Sequence, residues 1–375
     1  IGMVRAGILQ IFAKKSIAPS RLMVKKRSGE ERVGFSTGSK PPFLIKTPVI
    51  YVVIYKVITI SLLNTSMTAR RRGKEMTPTG SPVAIATPPF SNLEIPPQPP
   101  QIQHSLEQGN VLYLPQLAFS LTATEQALLT PELVAPRRKN ISYQPDTRML
   151  RGVADKQKTA AIARLMARYH QMTLQLIDAL LPGYGEALHH PQTSLRLHPI
   201  TAWRETTSWR KDDSRLHVDA FPSRPVKGDR ILRIFCNIHP RGEPRTWRTG
   251  EHFDTLAARF LPRLKPWSPS GAWLLAALGI TKSRRSHYDH LMLALHDAMK
   301  STPEYQRQGV QQEIDFAAGS TWICFSDQTP HAAMRGQYLL EQTFLLPVKA
   351  MSHPQLSPLR VLETLLQKPL VARNV

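Results

Sequence analysis

Apolar side chains recur mostly three and four residues apart between Asp155 and Leu180, at Ile162, Leu165, Met166, Tyr169, Met172, Leu176 and Leu180, and Pro182-Gly183 follows. That period predicts one long amphipathic helix with a core-facing stripe, stopped by the proline and glycine. Downstream the period falls to two, in Ser194–Leu197, Ile231–Ile238, Ser320–Phe325 and Tyr338–Leu346. These segments read as strands. Two shorter helical patterns interrupt them, His252–Phe260 and Tyr288–Met299. Helices before and between many short strands predict an antiparallel sandwich or barrel with helical insertions. No repeat of about 20–50 residues is visible.

The front of the chain reads differently. Residues 1–47 are basic and aperiodic, and an apolar run from Val49 to Leu63 is broken by Lys56. Fifteen residues of helix reach about 22 Å, short of the roughly 30 Å hydrocarbon core of a bilayer. A central lysine adds about 2.5–3.5 kcal/mol to the cost of insertion. The run also lacks the small-residue cleavage site of a signal peptide. The sequence begins at Ile1, so the expectation for residues 1–75 is translated upstream sequence, with the natural start at Met67 or Met76. Residues 77–100 hold eight prolines. Proline fixes φ and removes amide donors, so 76–102 is expected to be an extended linker or surface arm, with the organised domain spanning 103–375.

Charge follows the same division. The formal net charge is +22, but residues 1–75 carry 15 Lys+Arg and 3 acids, leaving 34 and 24 for the other 300 residues. The organised part is therefore only moderately basic, which suits an acidic ligand or an anionic membrane surface as well as nucleic acid. The only two cysteines, Cys236 and Cys324, lie in apolar strand-like runs and read as buried thiols in a reducing compartment.

Candidate chemistry centres on Leu216-His217-Val218-Asp219. Residues i and i+2 of an extended segment point the same way, so His217 and Asp219 can offer a nitrogen and a carboxylate to one ion. His331, in Thr329-Pro330-His331-Ala332, is the best third ligand. Two histidines and one carboxylate form the facial triad that leaves positions open on Fe(II). The same spacing occurs at His252/Asp254 and His287/Asp289, but on helical patterns, where i and i+2 diverge by about 200°. The His189-His190 pair follows a helix, and the trio His287, His290 and His296 lacks an obvious carboxylate partner, so both read as structural. Upstream of His331, a Gly-led turn feeds the strand Ser320–Phe325, and the loop Ser326–Pro330 delivers the histidine before the strand Gln337–Leu346.

This Gly-strand-loop-His segment, with the upstream His-x-Asp, resembles the Fe(II)/2-oxoglutarate-dependent oxygenases. More narrowly, Leu195–Pro225, Arg230–Pro240 and Gly319–Pro347 are similar to the Kdo (3-deoxy-D-manno-oct-2-ulosonic acid) hydroxylase family of Gram-negative bacteria. The likeness covers roughly residues 100–370. It implies a mainly β fold with helices: a double-stranded β-helix of the cupin or jelly-roll type, with flanking and inserted helices. It also implies Fe(II), 2-oxoglutarate and dioxygen as cofactors, and hydroxylation of the 3-deoxy carbon of Kdo in the lipid A–inner core of lipopolysaccharide, giving Ko. Such an enzyme is expected in the cytoplasm, peripheral to the anionic inner-membrane surface, with Kdo-containing lipid A as its partner.

2-Oxoglutarate needs a cation for its distal carboxylate, and arginine binds carboxylate bidentately. On the strand Ile231–Ile238, Arg233, Phe235 and Asn237 share one face, so an inward Arg233 is the favoured anchor, with Asn237 beside it and Arg335 as second candidate. Many relatives carry the anchoring arginine about ten residues after the second histidine, where this chain has Glu341-Gln342-Thr343. Trp209, Arg210, Lys211 and Arg224 flank the metal segment and suit an anionic sugar acid or its phosphorylated carrier. Two rivals remain: a non-catalytic cupin-like module that binds lipopolysaccharide, and a nucleic-acid binder, for which no motif is present.

Overall fold

In the chain's clearest strand, Arg230–Asn237, leucine, isoleucine and cysteine alternate with arginine, phenylalanine and asparagine, so each face must meet a different layer. The computed structural model describes residues 80–88, 99–203 and 208–372. In chain order its strands are β1 (Ile85–Ala86), β2 (Val111–Leu114), β3 (Ile141–Gln144), β4 (Met149–Arg151), β5 (His189–Arg196), β6 (Arg230–Asn237), β7 (Arg245–Gly250), β8 (Gln311–Phe316), β9 (Thr321–Phe325), β10 (His331–Arg335) and β11 (Leu339–Leu346). They form an eight-stranded sheet in the order β1-β2-β9-β6-β11-β5-β3-β4 and a three-stranded sheet in the order β10-β7-β8. Every named pairing is antiparallel except β1 with β2.

The small sheet packs on the Phe235 face of the large one. Trp247 of β7 meets Phe235 edge-on at 4.9 Å between ring centroids, and Phe316 of β8 stacks on Trp322 of β9 at 4.1 Å. The expected jelly-roll architecture is therefore present as an open two-sheet sandwich rather than a closed barrel. The opposite face, with Leu232 and Ile234, is covered by the helical layer.

The helices that matter here are α1 (Pro99–Glu107), α2 (Thr159–Leu180), α3 (Phe253–Phe260), α4 (Pro269–Ala277) and α5 (His287–Ser301). The helix predicted over Asp155–Leu180 is α2, entered through a 3-10 turn at Lys156–Lys158 whose Gln157 amide donates to the Asp155 carboxylate at 2.8 Å. All of the predicted stripe except Met172, which is half-buried, lies buried in the core. Each such side chain contributes about 1.5–3 kcal/mol by leaving water. Tyr169 also donates its hydroxyl to the Ile234 carbonyl at 3.1 Å, pinning α2 to β6.

Two expectations need correction. Part of the proline-rich stretch is built into the fold. Val83 is buried, its amide donates to the Gly250 carbonyl at 2.8 Å, and β1 extends the large sheet. Helix α1 starts at Pro99, because the first helical turn has no use for the missing N–H. The ordered domain therefore begins upstream of 103, while the apolar run Val49–Leu63, the basic segment 1–75 and residues 89–98 lie outside the described residues. Second, the loop Ser326–Pro330 delivers His331 as expected, but the strands before and after it do not pair with each other as a hairpin. His331 is the first residue of β10 in the small sheet, and β6 separates β9 from β11. Among the described residues, no helix is long and apolar enough to cross a membrane.

Candidate metal centre

His217 and His331 lie opposite one another in an antiparallel bridge, each amide donating to the other's carbonyl, at 3.0 and 2.9 Å. Two residues on, the Asp219 amide donates to the Ser326 carbonyl at 2.8 Å. This extended geometry sends Leu216 and Val218 into the core and turns His217 and Asp219 to the other side, as the alternation predicted. One ligand atom from each of His217, Asp219 and His331 lies within 4.8 Å of the others. The rejected pairs sit at helix starts: His252 is the extended residue just before α3 and Asp254 lies in its first turn, while the Asp289 carboxylate caps α5 and accepts the Val226 and Lys227 amides.

The three side chains are held in the state a metal needs. His217 Nδ1 lies 2.7 Å from the Arg215 carbonyl and His331 Nδ1 lies 2.9 Å from the Thr329 carbonyl. A carbonyl only accepts, so each Nδ1 carries the proton and each Nε2 keeps its lone pair. Burial pushes the His217 imidazole down to about 4 and lowers His331 as well, so both are neutral near pH 7. Burial alone would favour a protonated Asp219, but Arg233 and then His217 outweigh it and hold the carboxyl well below the usual carboxylate range. Two neutral imidazoles and one carboxylate anion fit a divalent iron with open positions.

An ionic chain runs outward from the triad. Arg233 Nε lies 3.2 Å from Asp219 Oδ2, Arg233 also pairs with Glu341 at 3.0 Å, and Glu341 pairs with Arg196 at 2.9 Å. Arg233 thus faces inward as expected, yet two carboxylates already engage it. Asn237 is not turned to the cavity: its amide donates to the Glu243 and Phe316 carbonyls at 3.0 and 3.1 Å, and its oxygen accepts the His239 amide. Arg335 is exposed at 68% and lies 3.8 Å from Glu313. The β10–β7 register slips between Ala333 and Arg335, and such a bulge breaks the alternation that would have put Arg335 on the face of His331.

A different arginine, absent from the sequence-based candidates, lies at the triad. Arg245 opens β7 and lines the same cavity of about 150 Å³ as His217, Asp219 and His331. It is only 5% exposed, and its Nε is buried with no hydrogen-bond partner. Burial pushes its guanidinium down to about 9, with the Arg196 charge adding to the effect. Glu341 and Asp213 offset part of that cost, but a buried guanidinium with an unpartnered Nε gains when an anion arrives to pair with it. A Cβ at Gly336 would come within 2.9 Å of Arg245 Cγ, so the glycine is what lets the two segments approach.

A second cavity, of about 360 Å³, shares Arg196, Arg233 and Glu341 with the first and is lined further by Arg224, Lys282 and His190. Of the expected substrate residues only Arg224 lines it. Trp209, Arg210 and Lys211 form a separate 3-10 turn, with Arg210 stacked 4.1 Å over the Trp209 ring and paired to Asp297 at 2.9 Å. Buried Lys300 donates to the Arg210 carbonyl and Lys139 to the Lys211 carbonyl, so this turn is fastened by its backbone and lines neither cavity.

Residues 92–369 match the family model described as 3-deoxy-D-manno-oct-2-ulosonic acid (Kdo) hydroxylase. The chain belongs to the Kdo hydroxylase family. Solved structures of a relative agree. The Kdo hydroxylase KdoO, a non-heme Fe(II) alphaketoglutarate-dependent dioxygenase, in complex with cobalt(II), is 45% identical over 78% of this chain and 98% of its own, with a TM-score of 0.74. Its complex with alphaketoglutarate and Fe(III) is 44% identical over 78% of this chain and 99% of its own, TM-score 0.74. The complex with succinate and Fe(III) has 44% identity, 78% and 98% coverage and a TM-score of 0.73. No curated protein matches the chain.

Proposed function

We propose that this chain, an Fe(II)- and 2-oxoglutarate-dependent dioxygenase, hydroxylates the 3-deoxy carbon of Kdo in the lipid A–inner core of lipopolysaccharide, giving Ko. The observation that carries the reading is the donor set: two neutral imidazoles and one ionised carboxylate within 4.8 Å, beside a buried arginine whose Nε has no hydrogen-bond partner. His217, Asp219 and His331 would hold the iron. When bound, the iron supplies oxygen activation coupled to decarboxylation of 2-oxoglutarate.

The protein's residues do the rest. The Arg215 and Thr329 carbonyls fix both imidazoles with Nε2 toward the ion. Arg233 Nε lies 3.2 Å from Asp219 Oδ2 as an ion pair without a hydrogen bond, and Asp219 Oδ1 lies 3.6 Å from His217 Nε2, so the carboxylate can turn an oxygen to the metal. Arg245 takes the distal carboxylate of 2-oxoglutarate, the part first assigned to Arg233 or Arg335. Its planar fork matches a carboxylate, and binding would give its Nε the partner it lacks. Kdo, itself a carboxylate sugar, occupies the larger cavity, where Arg224, Lys282 and Arg196 present cationic groups next to the metal pocket. The aromatic rings of Trp247 and Phe235 wall the inner cavity and limit water around the reacting centre.

The test is substrate-dependent succinate formation. His217→Ala and Asp219→Ala each abolish it while far-UV circular dichroism is unchanged. Full activity in both variants removes the triad assignment.

A further inference from the structure

We propose that α4 and the turn after it form a lipid-docking element that seats this enzyme on an anionic bilayer at the mouth of its substrate cavity. The inference rests on the lipid-borne substrate proposed above and adds the part of the chain that meets the membrane.

Helix α4 has an unusual exposure. Trp273 is 61% exposed, and Leu278 and Ile280 in the following turn are 64% and 57% exposed. Exposed aliphatic and indole groups grouped within eight positions carry a standing hydration cost that a soluble surface avoids. The segment is nonetheless mounted firmly. Ser268 caps the helix by accepting the Gly271 amide at 3.1 Å, Ala272 and Thr281 are buried, and Trp267 just before the helix stacks on His287 at 5.1 Å.

Charge selects the partner. From Thr255 to Tyr288 the chain contains no Asp or Glu, while in the same stretch Lys265, Lys282 and Arg284 are exposed and Arg285 is half-buried. An apolar tip set in a stretch of chain that carries cations and no carboxylate is complementary to anionic headgroups above acyl chains. A nine-residue helix reaches only about 13 Å, which suits lying in the interface and not crossing it. Tryptophan is the residue favoured at that depth, and the long basic side chains can extend back to the phosphates.

Position ties the element to function. The Lys282 amide donates to the Ser223 carbonyl at 2.9 Å, and the Arg285 guanidinium donates to the Pro222 carbonyl. Pro222, Ser223 and Lys282 all line the 360 Å³ cavity assigned to the sugar acid. A bilayer under α4 would therefore lie at the rim of that cavity, and a lipid-anchored sugar could enter without leaving its membrane.

The test uses the full chain with vesicles of phosphatidylethanolamine and phosphatidylglycerol, or of phosphatidylcholine alone, in a sedimentation assay. Wild type should partition onto the anionic vesicles and much less onto the zwitterionic ones. The triple variant Trp273→Ser, Leu278→Ser, Ile280→Ser should bind at least tenfold more weakly yet turn over a lipid-free Kdo oligosaccharide at the wild-type rate. That turnover reports the function reading separately from the docking. Because residues 1–75 are basic, brominated acyl chains give a local readout: they should quench wild-type fluorescence more than that of Trp273→Phe. Undiminished binding by the triple variant, equal binding to both vesicle types, equal quenching in Trp273→Phe, or a dimer closed over the patch in sedimentation velocity would each overturn the proposal.

Discussion

Replacing Arg245 with methionine keeps the length and apolar stem of the side chain and removes only the charged fork. In the free protein the guanidinium has no hydrogen-bond partner at Nε, and burial has pushed it down to about 9. A folded value below the unfolded one means that the charge opposes folding at neutral pH and that this penalty fades only as pH climbs above about 9. Arg245→Met should therefore leave the unliganded protein as stable as wild type, or more so. The ligand-bound state behaves oppositely. A hydrogen-bonded charge pair contributes about 1.5–3 kcal/mol. At about 1.4 kcal/mol per factor of ten, the 2-oxoglutarate KM should rise about 10- to 150-fold. The assay is succinate formation against 2-oxoglutarate concentration, paired with thermal unfolding with and without 2-oxoglutarate. Wild type gains stability from the ligand by mass action and the variant does not. An unchanged KM, or an unliganded variant markedly less stable than wild type, would refute the assignment and make Arg245 a structural residue.

Gly336→Ala tests the same anchor from the other side: at φ +120 and with Arg245 Cγ 2.9 Å from the new Cβ, it should cost about 1–3 kcal/mol of stability and raise the 2-oxoglutarate KM without touching metal affinity. Asp327→Ala should cost about 3–5 kcal/mol in urea denaturation. Asp327 pairs with fully buried Arg230 at 2.8 Å and accepts the Ile231 amide, holding the Ser326–Pro330 turn that leads to His331. Lowering the pH should destabilise the metal-free protein through His217, whose folded value of about 4 lies below its ordinary 6.5. The unfolded chain takes up the proton first, so stability present above pH 6.5 is lost on descending to 4, by about 3 kcal/mol at 1.36 kcal/mol per unit. His217→Gln should flatten that slope in denaturation curves measured across the range.

Periodicity made the large sheet and its helical cover readable. The stripe on α2 and the alternation of Leu232, Ile234 and Cys236 with Arg233, Phe235 and Asn237 are strong signals because each element buries one continuous face. His217 and Asp219 were legible for the same reason, since extended spacing sets which side chains share a side. The small sheet was not. Its strands RTWRTG, QQEIDF and HAAMR are short and polar because β8 and the end of β10 leave side chains in solvent, so no apolar alternation marks them. Arg245 was missed with β7. Arg335 misled because closeness to His331 in sequence ignores a bulge, which sequence does not display. Asn237 misled because facing inward does not reveal that two carbonyls already take its amide. The prolines before 100 suggested a linker or surface arm, but Val83 between them donates its amide to the Gly250 carbonyl, and Pro99 opens α1 where a missing amide costs nothing.

The most direct measurement is mass spectrometry of Kdo-containing lipid A incubated with the purified chain, Fe(II), 2-oxoglutarate and isotopically heavy dioxygen. The account predicts one added heavy oxygen on the Kdo unit, dependent on 2-oxoglutarate and absent with Asp219→Ala. An unaltered mass with metal-loaded wild type, or an added oxygen drawn from water, would contradict it.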